Sequence, residues 1–361
     1  MVALSGFRAF LKRKNIEISL RRYGIDALGA MAQGLFCSLL IGTILNTLGS
    51  QTGVAIFSTV GGYAPAVSGP AMAVAIGYAL KCPPLVLFSM EPVGGAANAL
   101  GGSAGGPLAV FVIAIVAAEV GKMVSKETPV DVLVTPLVTI FAGVALAALI
   151  APPIGAGANY VGALIKRATV LQPFWMGIIV SASVGIALTL PISSAAICHS
   201  FNLVGLAGGA AVAGCCANMV GFAVMSFREN RWGGLVSQGL GTSMLQMGNI
   251  VKNPRIWLPA ILTSMITGPI ATCVFKLEMN GAAINSGMGT CGLCGPIGVW
   301  TGWVNPSDVA LADGAAAIAP GAMDWLGLAL VCFVLPAVIC WALGLFFRRI
   351  GWIREGDLKL D

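Results

Sequence analysis

Glu91 follows the apolar run Leu85-Val-Leu-Phe-Ser-Met90 and precedes Pro92. A carboxylate in such a setting is costly enough to be read first as functional. Asn98 and Ser103 lie downstream, so the stretch offers the acceptors and donors that hold the hydroxyls of a sugar or polyol. His199, the only histidine, sits with Ser193, Ser194, Ser200 and Asn202 after the break at Pro191. It is a candidate for substrate contact or proton handling. Asn280, Asn285 and Thr290 form a third polar group. Each has a plainer reading: Glu91 as an interfacial carboxylate at a helix end, His199 as a satisfied structural group, Glu119 with Lys122 as a boundary ion pair, and Glu278, just after Lys276, as an interfacial residue. No nucleophile, base and orienting group can be placed together, so no catalytic residue is assigned.

The ten cysteines lie in apolar segments and read mostly as small buried hydrophobes. Cys291-Gly-Leu-Cys294 has the spacing of a redox or metal pair, but no second CxxC and a single histidine accompany it. Neither a metal nor a cofactor is expected.

Two glycine-rich stretches must position these groups. Glu91-Pro-Val-Gly-Gly-Ala-Ala-Asn-Ala-Leu-Gly-Gly-Ser-Ala-Gly-Gly-Pro-Leu108 has a partner in Glu278-Met-Asn-Gly-Ala-Ala-Ile-Asn-Ser-Gly-Met-Gly-Thr-Cys-Gly-Leu-Cys-Gly-Pro-Ile297. Gly95-Ala-Ala corresponds to Gly281-Ala-Ala and Gly106-Pro-Leu to Gly295-Pro-Ile. Such sequences are poor helix formers, each Gly costing about 0.5 to 1 kcal/mol relative to Ala. Irregular backbone at membrane depth is tolerated where it is buried in protein or lines a cavity, and paired copies point to a transporter's substrate site. The alternative is close packing of helices through small residues.

The background is apolar: 57% of the 361 residues are hydrophobic and 9% are charged, and the mean hydropathy is +0.91. Soluble domains carry about 25% charged residues, so the expectation is an all-α polytopic membrane protein. About ten transmembrane helices can be drawn, with the two glycine-rich segments as re-entrant or broken helices. Spans are expected at 27–48, 53–80 (kinked at Pro65 and Pro70), 84–101, 107–123, 129–151, 173–190, 203–227, 235–251, 256–275 and 325–347, with an interfacial helix at 154–171. The net charge of +6 comes from cations in the tails and short loops, which is no nucleic-acid footprint. Residues 1–24 interleave Arg8, Lys12, Arg13, Lys14, Arg21 and Arg22 with apolar side chains, as in a basic amphipathic helix on an anionic cytoplasmic leaflet, and lack the features of a cleaved signal peptide. Residues 25–347 form the transport domain and 348–361 a cytoplasmic tail. With both termini cytoplasmic, Lys166, Arg167, Arg228, Arg231 and Lys276 are the cations left outside, in keeping with the positive-inside rule.

Gln33-Gly-Leu-Phe-Cys-Ser-Leu-Leu in the first span is similar to Gln238-Gly-Leu-Gly-Thr-Ser-Met-Leu, and in this topology the two run in opposite senses. With the glycine-rich copies, this predicts an inverted repeat with halves at about 27–108 and 235–298. Chance similarity of short, glycine-heavy strings is the alternative.

Phe88-Ser-Met-Glu-Pro-Val93, Pro191-Ile-Ser-Ser194 with His199, and Asn280-Gly-Ala-Ala-Ile-Asn-Ser-Gly-Met-Gly289 through Gly295-Pro296 resemble the membrane-embedded IIC-type proteins of the bacterial phosphotransferase system, on the branch of the perfringolysin-regulator-like membrane proteins. The resemblance implies Glu91 and His199 as sugar contacts, a homodimer in the bacterial inner membrane, and separate A and B proteins as partners. The expected function is movement of a small polar solute, a sugar or related compound, by alternating access. The competing class is a solute-sensing membrane regulator that does not transport.

Overall fold

In a computed structural model, which describes residues 9–169 and 171–360, the regular structure of the described residues is all helical apart from an isolated bridge between Gly205 and Met279. Six helices among the described residues are long and apolar enough to cross a membrane. The chain divides into two units, the first comprising the residues up to Gly42 with Thr59–Gly157, the second Thr43–Ser58 with the residues from Ala158 onward.

The helices of the first part of the chain are α1 (Arg22–Asn46), α2 (Ala55–Ala66), α3 (Ser68–Ala79), α4 (Pro84–Leu100), α5 (Gly102–Val124) and α6 (Asp131–Ala168). α1 matches the expected first span and carries π turns at Arg22–Ala27 and Phe36–Leu40. The kinked second span is two helices, parted at Val67. α4 begins with Pro84 in its first turn, where a missing N–H costs nothing.

The first glycine-rich stretch differs from expectation. It is helical to Leu100, breaks at Gly101 and Gly102, where Gly102 takes φ +69°, and resumes as α5. The glycine penalty is offset by close packing: a Cβ on Gly94 would stand 2.4 Å from the Gly69 carbonyl oxygen of α3, and one on Gly155 would stand 2.4 Å from the Gly101 carbonyl oxygen. The expected 129–151 span and 154–171 interfacial helix are likewise one helix, α6, which contains Pro136, Pro152 and Pro153. Proline φ is itself helical, so the Pro152-Pro153 pair removes hydrogen bonds without forbidding the helix.

In the second unit follow α7 (Pro173–Thr189), α8 (Ser194–Ser200), α9 (Gly205–Met225), α10 (Phe227–Val236), α11 (Met247–Lys252), α12 (Pro254–Val274), α13 (Cys294–Val304), α14 (Asp308–Ala312) and α15 (Ala322–Arg349). α9 is the buried one, 89% of its apolar window being enclosed, and it packs against α7, α12 and α15. Its small residues permit this: a Cβ on Gly214 would lie 1.9 Å from the Ser181 carbonyl oxygen of α7. The expected 235–251 span is broken into a π turn at Ser237–Gly241, a 3-10 turn at Ser243–Gln246 and α11.

The second glycine-rich stretch is irregular, as expected. Between α12 and α13 the chain makes only 3-10 turns at Ala283–Gly287 and Cys291–Leu293, with Gly289 and Gly292 at positive φ. The two copies, alike in sequence, thus differ in local backbone.

Candidate functional site

The structure brings the His199 segment and the second glycine-rich stretch together. Ser193 caps α8 through the Ala196 N–H at 3.2 Å. From the same turn Ser194 Oγ donates to the Gly287 carbonyl at 2.8 Å, and from the opposite side Ser286 Oγ donates to the Leu203 carbonyl at 2.6 Å. Gly205 and Met279 exchange both backbone hydrogen bonds at 3.0 Å. The irregular stretch is therefore fastened to the 193–205 segment by four hydrogen bonds, three of which supply its backbone with partners that a helix would have provided internally.

Beside this junction lies a pocket of about 700 Å³, walled by Phe201, Asn202, Leu203 and Val204, by Pro173 and Met176 of α7, and by Val309 and Asp313. Asn202 ends α8 in left-handed backbone, φ 51°, and its exposed amide meets the pocket with the exposed carboxylate of Asp313. The lining thus combines an amide and a carboxylate with an aromatic ring and aliphatic side chains. Asp313 is a functional candidate that the sequence does not mark; it reaches the pocket as the residue that ends α14.

The remaining expected residues fall in different settings. His199 is exposed in the last turn of α8. Asn280 is buried, with its side chain donating to Glu278 Oε2 at 2.9 Å and its carbonyl accepting from the Ser307 N–H at 2.8 Å. Asn285 is half-buried in the 3-10 turn, its side chain lying where a Cβ on Gly298 would stand. Thr290 is wholly enclosed, and its hydroxyl points at the Met219 sulfur, 3.7 Å away. Asn280 and Thr290 thus spend their polar atoms inside the protein.

Glu91, Asn98 and Ser103 belong to the first unit. Glu91 is exposed on α4, and Asn98, two turns on and so on the same face, is half-buried with its Oδ1 against Gly106. Ser103 is exposed in the first turn of α5. Cys291 and Cys294 are buried, and among the described residues no group of three His, Cys, Asp or Glu side chains could hold a metal ion.

A buried polar cluster escaped the sequence reading. Asn218, fully enclosed in α9, donates to the Gly214 carbonyl and to Ser264 Oγ, both at 3.1 Å, and accepts from Trp257 Nε1 at 3.1 Å. Thr189 Oγ lies 2.8 Å from Ser243 Oγ. An asparagine in the middle of a small-residue helix was the available signal.

No curated protein and no solved structure matches the chain. The model of the family described as Phosphotransferase system, EIIC, matches residues 25–360. The chain therefore belongs to the EIIC family of the phosphotransferase system, multi-pass membrane permeases that work with separate phosphotransferase components and a solute.

Proposed function

We propose that this permease moves a small polar solute, a sugar or related compound, by alternating access, with separate A and B proteins handling phosphate and with a homodimer as the working form in the bacterial inner membrane. The observation that carries the solute class is the pocket lined by Asn202, Asp313 and Phe201 beside the irregular 276–293 backbone. Broken backbone next to a polar cavity is the form in which transporters present substrate sites. His199 on α8 is a further contact in this reading, and Glu91 and Asn98, on one face of α4, are solute contacts proposed separately for the first unit.

Two measurements test it. Melting temperature in detergent is followed against sugars, polyols and sugar phosphates, where a ligand at 100 times its dissociation constant adds about 2.7 kcal/mol. Uptake of the stabilising solute into proteoliposomes is then measured. Saturable uptake that Asn202→Ala and Asp313→Asn weaken supports the reading. Stabilisation without uptake moves the protein to the solute-sensing class, and stabilisation unaffected by either substitution removes the solute from this pocket.

A further inference from the structure

The N-terminal segment, the α3–α4 turn and the α5–α6 turn meet in the first unit, and each turns in left-handed backbone at a non-glycine residue: Asn15 at φ 53°, Lys81 at φ 57° and Lys126 at φ 61°. Three chain reversals that end helical segments therefore converge, and their free carbonyls are satisfied by cations. Lys122 Nζ donates to the Asn15 and Leu80 carbonyls at 3.0 and 3.1 Å and pairs with Glu119 Oε2 at 2.6 Å. Arg22 donates to the Leu80 carbonyl at 2.7 Å and to Asn15 Oδ1 at 3.1 Å. Lys14 reaches the Ser125 carbonyl and Glu127.

These contacts frame a pocket of about 380 Å³ whose charged lining is Arg13, Lys14, Lys81, Lys122 and Lys126 against Glu127 alone. Glu127 is taken up by Arg13 and Lys14, while Lys81 and Lys126, both exposed, have no ion pair among the described residues. With Asp131, whose carboxylate accepts from the Lys126 N–H at 2.7 Å, and Glu119, paired with Lys122, counted beside Glu127, the recess still holds more cations than carboxylates. Beside it the chain exposes large apolar side chains, Ile18 at 82% and Leu20 at 73%, with Tyr78 at 77% in the last turns of α3. That pairing of a cationic recess with a greasy rim matches a phospholipid better than a soluble anion, which has no use for the rim.

We propose that this recess binds the phosphate of an anionic phospholipid headgroup, with Lys81 and Lys126 as the ligating cations and Ile18, Leu20 and Tyr78 against the acyl region. The framing residues Lys122, Lys14 and Arg22 hold the three turns in place and are not free to do this. The site shares no residue with the Asn202 and Asp313 pocket and does not depend on the transport reading.

The test uses the whole protein in detergent, its melting temperature followed while phosphatidylglycerol, phosphatidylcholine or inorganic phosphate is added. The variant is Lys81→Asn with Lys126→Asn, since Asn tolerates left-handed backbone and the unliganded melting temperature should stay unchanged. Phosphatidylglycerol is expected to stabilise the wild type where phosphatidylcholine does not, and its half-saturating concentration is expected to rise at least about tenfold in the variant. Equal stabilisation by inorganic phosphate, lost in the variant, keeps the phosphate site but replaces the lipid by a soluble ester. No shift with either phosphate source, or the same half-saturating concentration in the variant, overturns the proposal.

Discussion

Asn230 holds Leu358 through its side chain: the amide nitrogen donates to the Leu358 carbonyl at 2.7 Å, while the amide oxygen accepts from the N–H of Leu360 at 2.8 Å. The rest of the tail is fastened in the same manner. Gln246 donates to the Leu358 carbonyl at 2.9 Å, Asn249 to the Lys359 carbonyl at 2.8 Å and Asn253 to the Trp352 carbonyl at 2.9 Å. Leu358 itself is fully buried. The broken 227–253 region, poor in internal helix bonds, thus gains its order from a peptide laid across it. Asn230→Ala strands the Leu360 N–H and leaves the Leu358 carbonyl to Gln246 alone, and is expected to cost about 1 to 3 kcal/mol, and Leu358→Asp to release the tail. Melting temperature in detergent and protease cleavage after Arg354 check both.

Arg348 and Glu229 form a shielded pair at 2.7 Å, with side chains 15% and 6% exposed. Removing one partner leaves a buried charge, so Arg348→Met is expected to cost about 3 to 5 kcal/mol, while the double change Arg348→Met with Glu229→Met recovers most of it. A double-mutant cycle on melting in detergent gives the coupling. Equal losses in the single and double variants would refute the pairing.

Neighbouring glycines of α4 should respond in opposite directions. Gly94→Ala drives a methyl to 2.4 Å from the Gly69 carbonyl oxygen and is expected to destabilise by about 1 to 3 kcal/mol. Gly95→Ala meets only Pro70 at 3.9 Å and is expected to stabilise by about 0.5 to 1 kcal/mol through helix propensity. Thermal unfolding of the two variants separates a packed helix from a liganding loop.

Acid should loosen the N-terminal segment. A hydrogen bond from Lys14, with the nearby charge of Arg13, holds the Glu127 carboxyl below its usual 4.5. The folded value is the depressed one, so the stabilisation is complete above the ordinary carboxylate range and is lost as pH falls through the folded value. Proteolysis near Arg13 and Lys14 is expected to be flat from neutral pH down to about 4.5 and to rise below it. In Glu127→Gln that acid dependence disappears.

The amino-acid sequence determined the class, some of the ten expected spans and one of the two irregular segments, while the expected spans at 53–80 and 235–251 are broken into shorter pieces. Hydropathy is a property of windows, and the free energy of placing some twenty residues in lipid depends little on what they touch, so α1, α5, α9, α12 and α15 stand where the apolar runs put them. Local turn chemistry was legible as well, as at Pro173 and Ser193, where a helix starts with its own cap or proline. Tertiary structure decided what glycine and proline mean. Gly94 is helical because Gly69 lies against it, and α6 continues through Pro152-Pro153 with Gly155 seated against the Gly101 carbonyl, whereas 276–293 stays irregular because Ser194 and Gly205 satisfy its backbone and Ser286 ties it to the Leu203 carbonyl. The same holds for the polar residues. Asn280 and Thr290 face inward, while Asn202 meets Asp313 at a pocket across more than a hundred residues of chain. Such pairings are set by which surfaces meet, and no spacing in the sequence records that.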